Sequence, residues 1–172
     1  MSFIETERLM LRLWMPSDLP SVVRILGDAQ TMRYIGSGYS RGLTEEEAAH
    51  VLERMTERYE KEGIGIWPVA LKDGGTLVGM CGLQHLPENG DVEIAYIFDR
   101  EQRGKGYATE AASAVLDFGF EQQKLSRIVA VVHPLNAPSI RLLHRVGMKF
   151  VSVKRVYRMD ALEYEKRAAG GT

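Results

Sequence analysis

The sequence predicts an α/β (α+β) protein: a central mixed, seven-stranded sheet with helices on both faces, in the order β-α-α-β-β-β-α-β-α-β-β. Three observations predict it. Short stretches of alternating or continuous apolar residues are bounded by Asp-Gly and Asn-Gly turns, as strands are. Between them run apolar stripes at i, i+3, i+4 and i+7, as amphipathic helices require. Residues 91–132 read as strand, glycine-bearing loop, helix and strand, a unit whose crossover is right-handed and whose two strands are parallel.

The elements follow in order. Leu9, Leu11 and Leu13 alternate within Arg8 to Leu13, a first strand. Pro16-Ser17-Asp18 starts a helix carrying Leu19, Val22, Val23 and Leu26 on one face, and Gly27 ends it. The link from Asp28 to Gly42 contains Tyr34, Tyr39, Gly36 and Gly38. A surface connection and a substrate-side lid are both open readings of it. Thr44 and Glu47 fit a capping box, followed by the stripe Ala48, Val51, Leu52, Met55 and Tyr59, with Gly63 as the stop. Strands Ile66 to Leu71 and Thr76 to His85 flank Lys72-Asp73-Gly74-Gly75, and Pro87-Glu88-Asn89-Gly90 turns into the strand Asp91 to Phe98, giving an antiparallel meander. Ala108, Ala111, Ala112, Val115 and Leu116 mark the next helix. Arg127 to Val132 is continuously apolar after its first residue, suiting a strand buried on both faces. Residues 133–139 break it and start a short helix with Pro138 in its first turn, closed by Gly147. Strands around Lys149 to Val156 and Met159 to Tyr164 complete the order.

With 172 residues, 45% of them hydrophobic, the chain can bury a sizeable core. One domain over residues 1–167 is expected, with a frayed tail at 168–172. Net charge is −1, from 22 basic and 23 acidic residues, which leaves no footprint for nucleic acid. The single cysteine, Cys81, excludes an internal disulfide; it fits a reducing compartment and, within its apolar run, a buried inert thiol. No apolar run approaches about 18 residues and no leader pattern opens the chain, so the expected location is the cytoplasm, away from membranes.

The stretch that points to chemistry is the strand Asp91 to Phe98 with the loop and helix after it. Glycines let backbone N–H groups approach a ligand closely, and the first N–H groups of a helix lack partners and carry partial positive charge. Such a corner binds phosphate, although a plain strand–loop–helix corner looks alike in sequence. Thr109 stands where a dinucleotide fingerprint needs glycine, and no Lys-Ser/Thr pair completes a P-loop.

Over Glu101 to Gly106 the chain resembles the acyl-CoA loop of the GNAT N-acetyltransferases, Gln/Arg-x-x-Gly-x-Gly/Ala, with Glu101 at the first position. The likeness covers nearly the whole chain. It is carried by Thr6-Glu7-Arg8-Leu9-Met10-Leu11-Arg12, Glu93-Ile94-Ala95-Tyr96, Gly104-Lys105-Gly106-Tyr107-Ala108-Thr109-Glu110-Ala111, Asn136-Ala137-Pro138-Ser139 and Val146-Gly147-Met148. These segments resemble the ribosomal-protein-alanine (RimJ/RimL) type of that family.

The resemblance implies the GNAT acyl-CoA N-acyltransferase fold, with acetyl-CoA in a V between the parallel strands, which part beyond a bulge in the first. Pyrophosphate would lie on the amides of Gln102, Arg103, Gly104, Lys105, Gly106, Tyr107 and Ala108. Arg103 and Lys105 would add charge or remain solvated surface cations. Pantetheine would run along Ile97 and Phe98, bonded to their backbone, with Asn136 binding the arm or capping its helix. The Phe98 amide would hold the oxyanion. Glu93 is the candidate base, acting directly or through water, with a surface ion pair as its alternative and His85 as runner-up; His133 could equally be packing filler. Leu143 stands where many relatives carry the tyrosine that protonates the thiolate, and Ser139 takes that role in the resembling branch unless it is a helix cap. The implied function is acetyl transfer to a primary amine by direct attack in a ternary complex. The alternative is a CoA-binding sensor or interaction module with little catalysis. Acetyl-CoA and an amine acceptor (a protein N-terminus, a small amine or an amino sugar) are the implied partners, with a homodimer open and no metal.

Overall fold

The computed structural model describes residues 2–35 and 41–170. The expected link residues Gly36, Gly38 and Tyr39 and the last two residues of the expected tail lie outside the described residues. The strands are β1 (Ser2–Glu5), β2 (Leu9–Arg12), β3 (Ile66–Leu71), β4 (Leu77–His85), β5 (Val92–Phe98), β6 (Arg127–Val132), β7 (Lys149–Val156) and β8 (Met159–Arg167). The helices are α1 (Leu19–Leu26), α2 (Ala29–Met32), α3 (Glu45–Glu62), α4 (Tyr107–Glu121) and α5 (Ala137–Arg145), with 3₁₀ turns at Pro16–Asp18 and Arg100–Gln102.

All eight strands form one mixed sheet in the order β1-β2-β3-β4-β5-β6-β8-β7. Neighbours are antiparallel except β5 and β6, the parallel pair expected from the crossover. The expected count of seven is corrected to eight, and the order gains a strand. Residues 2–5 show too little alternation to read as a strand, yet they fold back on β2 through a tight turn in which the Thr6 N–H donates to the Leu9 carbonyl at 3.0 Å. A second addition is α2, a single helical turn inside the link, capped by Asp28, whose carboxylate accepts from the Thr31 N–H at 3.1 Å. Around α3 the local signals hold: Thr44 and Glu47 make the reciprocal capping box, and Gly63, at φ +70, ends the helix in the left-handed region.

Helices cover both faces of the sheet. On one, Ala111, Ala112, Val115 and Leu116 of α4 and Leu142 and Leu143 of α5 pack on Leu83, Ile94, Phe98 and Ile128. On the other, Val22, Ile25 and Leu26 of α1 and Ala48 of α3 pack on Ile66, Leu77 and Met80, with Ala95 and Ile97 against them. Alternation along β5 thus sends Ile94, Tyr96 and Phe98 to the α4–α5 side and Glu93, Ala95 and Ile97 to the α1–α3 side. Cys81 is fully buried within the α4-side cluster, and its thiol is pushed upward by burial, the inert state expected of it.

The seam between β5 and β6 places the site. Their register holds the single pair Glu93↔Val129, so the strands part beyond it. The expected bulge is absent: β4 and β5 pair without interruption from His85↔Val92 to Gly79↔Phe98. The divergence arises because β6 stays with β8 along its length, from Arg127↔Arg167 to Val132↔Leu162, while β5 stays with β4.

Candidate active site

The corner at the open end of this V is built as the sequence suggests. The Asp99 side chain accepts from the Glu101 N–H at 3.0 Å and shapes the turn leaving β5. Gly104 and Gly106 then sit at φ +79 and +82, a conformation that side chains disfavour. Gly106 is the N-cap position of α4, and no side chain caps that end. The first N–H groups of α4 therefore face outward, the arrangement that accepts a phosphate.

The sequence did not reveal what holds the loop. The Arg8 guanidinium donates from Nη1 to the Lys105 carbonyl at 2.8 Å and from Nε to Glu110 at 2.7 Å, while its plane covers the Tyr107 ring at 4.7 Å. Glu110 also accepts from the Arg8 N–H at 2.9 Å and the Thr6 hydroxyl at 2.6 Å. The two resembling segments at Thr6–Arg8 and Gly104–Glu110 thus touch. From the other side, Arg24 pairs with Asp99, Arg100 donates to Gln30 at 2.8 Å, and Arg103 reaches Thr31 at 3.1 Å and the Phe98 carbonyl at 3.4 Å. The Arg103 side chain is drawn toward α2, and Lys105 donates to the Gln102 side chain at 2.8 Å.

Which β5 amides face the V follows from the ladder. The Asp99 N–H donates to the Val78 carbonyl at 2.9 Å, and the Asp91 carbonyl accepts from the Leu86 N–H at 2.8 Å. With an unbroken register, every odd-numbered residue between them turns its backbone groups toward β4. Ile97, opposite Met80, is therefore committed to β4 and does not present its backbone to the V, a correction to the expected pantetheine contact. The even-numbered residues face β6, and past the Glu93↔Val129 pair these are Tyr96 and Phe98.

Phe98 also faces the V, five residues along β5 from Glu93. Five residues at about 3.3 Å each separate them by roughly 16 Å. Across that span the Glu93 carboxylate reaches an amine at the thioester through water, and Tyr96, three residues from Glu93, lies nearer at roughly 10 Å. Phe98 stands at the phosphate end of the V, and Tyr96 carries the cleft-facing N–H two residues nearer to Glu93.

Glu93 is buried at 3% exposure on the α1–α3 side. Its cross-strand neighbour Gln84 donates from Nε2 to Oε1 at 2.7 Å, and the Tyr157 hydroxyl donates to the same oxygen. Burial pushes the carboxyl up to about 7, against the pull of those two hydrogen bonds. A surface ion pair, the alternative reading, does not describe it. His85 projects from the opposite face, with Nδ1 3.0 Å from the Gly90 carbonyl, so the runner-up base is not beside Glu93.

On α5, Asn136 caps the helix, its carbonyl oxygen accepting from the Ser139 N–H at 3.3 Å. That settles the cap on Asn136 and frees the Ser139 hydroxyl, which lies 2.6 Å from the Tyr96 hydroxyl. Burial raises the Tyr96 phenol, keeping it protonated. Leu143 is 1% exposed in the core and offers no acid. His133 packs, as one expectation had it: its ring stacks on Tyr34 at 5.0 Å and Nδ1 accepts from the Leu135 N–H at 3.1 Å, joining the link to the loop after β6. Among the described residues no cluster of His, Cys, Asp and Glu could hold a metal ion, and no helix is long and apolar enough to cross a membrane.

A sheet parted between two parallel strands, with an uncapped helix end at the mouth of the gap, is the arrangement that the resemblance to the acyl-CoA N-acyltransferases implies. Residues 8–149 match the family model described as an acetyltransferase (GNAT) domain, and the chain belongs to that family. It is 35% identical over 147 residues to the uncharacterized N-acetyltransferase YnaD of Bacillus subtilis, covering 85% of this chain and 82% of YnaD. The crystal structure of a GNAT-family acetyltransferase from Bacillus anthracis superposes with a TM-score of 0.78 at 30% identity, covering 94% of this chain and 95% of that one. Ribosomal-protein-S5-alanine acetyltransferase from Vibrio fischeri shares the fold, at a TM-score of 0.73 and 22% identity, over 100% of this chain and 99% of that one. GNAT domains use acetyl-CoA, and the chain is an acyltransferase.

Proposed function

We propose that the protein transfers acetyl from acetyl-CoA to a primary amine by direct attack in a ternary complex, with Glu93 as the base. The observation that carries this is a buried carboxylate, held up to about 7, where β5 and β6 begin to part. A base with that affinity accepts a proton from an ammonium near neutral pH and returns it to solvent. The amides of residues 102–108 hold the pyrophosphate, with Gly104 and Gly106 admitting it closely. The backbone of Phe98 and Tyr96 holds the pantetheine arm, and the Tyr96 N–H polarises the thioester carbonyl as charge builds there. The C–N bond forms as the C–S bond breaks; Glu93 takes the amine's proton. The Tyr96 and Ser139 hydroxyls lie 2.6 Å apart, and with Tyr96 as the donor the serine proton goes to the departing sulfur and water restores it. The acceptor is a protein N-terminus or a small amine.

One observation favours a binding module without turnover. Tyr157 already occupies Oε1 of Glu93, and Leu143 supplies no acid. Release of free CoA thiol in the presence of a panel of peptides and small amines decides. Amine-dependent release is expected; none with any amine between pH 6 and 9 leaves the binding module as the reading.

Ser139→Ala tests the acid. Asn136 keeps its cap, because the cap uses the Ser139 backbone N–H. The melting temperature should fall by a few degrees at most, through the lost contact with Tyr96, while kcat falls about tenfold or more. An acyl donor with a better-leaving thiol should recover part of that loss. A variant that melts lower and turns over normally removes Ser139 from the mechanism.

A further inference from the structure

We propose that Tyr157, at the tip of the C-terminal hairpin, is a positioning residue that fixes the Glu93 carboxylate so that Oε2 faces the incoming amine. The proposal rests on Glu93 being the base. The turn between β7 and β8 is only Tyr157-Arg158, and both residues have positive φ, +49 and +62. A two-residue turn of this kind is normally filled by Asn and Gly; a tyrosine there is conformationally costly. The cost needs a compensating contact, and the structure provides several. The Tyr157 N–H donates to Glu88 at 2.8 Å, on the turn between β4 and β5. Its ring packs on Leu86, Val129, Val156 and Ala161. Its hydroxyl crosses to Glu93 Oε1 and accepts from Gln84 Nε2 at 3.1 Å.

Two donors therefore converge on one carboxylate oxygen. Gln84 is itself fixed, since Arg58 of α3 donates to its carbonyl oxygen at 2.8 Å. Oε2 makes no hydrogen bond among the described residues. A carboxylate pinned at one oxygen cannot rotate freely, so the other oxygen keeps one direction. The groups that face Glu93 are then Gln84 from β4, Glu88 from the turn after it, Arg58 from α3 and Tyr157 from the hairpin. Burial and the adjacent carboxylate both push the Tyr157 phenol upward, so it stays a donor across the working pH range.

Tyr157→Phe tests this because it keeps the ring and its packing while deleting the hydroxyl. A donor to the charged form lowers a carboxyl's affinity for protons, and its loss raises it. We expect the Glu93 carboxyl, followed by carbon NMR on protein labelled at glutamate, to titrate at least half a pH unit higher in Tyr157→Phe. The acidic limb of kcat/KM for the amine should move up with it, kcat should fall several-fold, and KM for acetyl-CoA should not change. A carboxyl that titrates as in the wild type overturns the proposal, whatever the activity. A carboxyl that moves while the acidic limb stays in place overturns the assignment of Glu93 as base and with it the catalytic role of Tyr157. Far-UV circular dichroism and the melting curve confirm that the variant is folded before either reading is taken.

Discussion

Glu93→Gln is expected to lower kcat/KM for the amine by about a hundredfold and, at the same time, to stabilise the protein above neutral pH. The two effects share one cause. The folded-state carboxyl binds its proton up to about 7, against an ordinary value of 4.5. Between those values the native state holds a proton that the unfolded chain releases, so stability falls as pH rises through that window and stays lower above it. At about 1.4 kcal/mol per pH unit the penalty approaches roughly 3 kcal/mol above pH 7. Glutamine has nearly the same shape, can still accept from Gln84 and Tyr157, and carries no charge to bury. Its melting temperature should match the wild type near pH 4 and exceed it by several degrees at pH 8. Calorimetry across that range, with kinetics on the same preparations, measures both. An activity loss below threefold at every pH removes Glu93 as the base, and a melting temperature no higher at pH 8 contradicts the burial argument.

The second large effect is on acetyl-CoA itself. Gly106→Val places a β-branched residue at φ +82, with its Cβ 3.3 Å from the Arg8 guanidinium. The left-handed conformation costs a non-glycine residue about 1–2 kcal/mol, and the valine methyls lie where a phosphate must approach the backbone. Losing one or two charge-assisted contacts, each worth about 1.5–3 kcal/mol, weakens acetyl-CoA at least about tenfold. Gly104→Ala is the control: it shares the positive φ, but its Cβ meets nothing within 4 Å. Titration calorimetry should show a loss for Gly104→Ala well below that for Gly106→Val. Equal affinity in wild type and a folded Gly106→Val protein would remove the loop from the binding site.

What could be read from the sequence was local. Thr44, Glu47 and Gly63 fix α3 by contacts within a few residues, and the limits of β3 and β6 follow from their own apolar runs. The glycine-bearing corner before α4 was legible for the same reason. What escaped joins distant residues: Arg8 with Glu110, Tyr96 with Ser139, Tyr157 with Glu93. No periodicity reports such pairs. The backbone contact expected at Ile97 escaped for a different reason. A strand can be recognised from its residues, but the direction of each amide depends on its partner strand, and one position decides between Ile97 and Tyr96. The helix cap on Asn136 and the free hydroxyl of Ser139 likewise needed the three-dimensional turn to separate two residues that both fit a cap.

The parting of β5 from β6 also means that this sheet contains an edge in its middle. Tyr96 and Phe98 present backbone groups there as an outermost strand would, ready to pair with any extended chain. The helices on both faces leave that edge room only for something narrow, and a pantetheine arm is a narrow extended chain with amides of its own. Acetyl-CoA would thus supply the missing rungs and rejoin the panel β1–β5 to the panel β6–β8. Substrate binding then becomes a folding event: at a hundred times its dissociation constant the ligand would add about 2.7 kcal/mol to the stability of the whole protein. The resistance of this chain to unfolding would then rise and fall with the supply of acetyl-CoA.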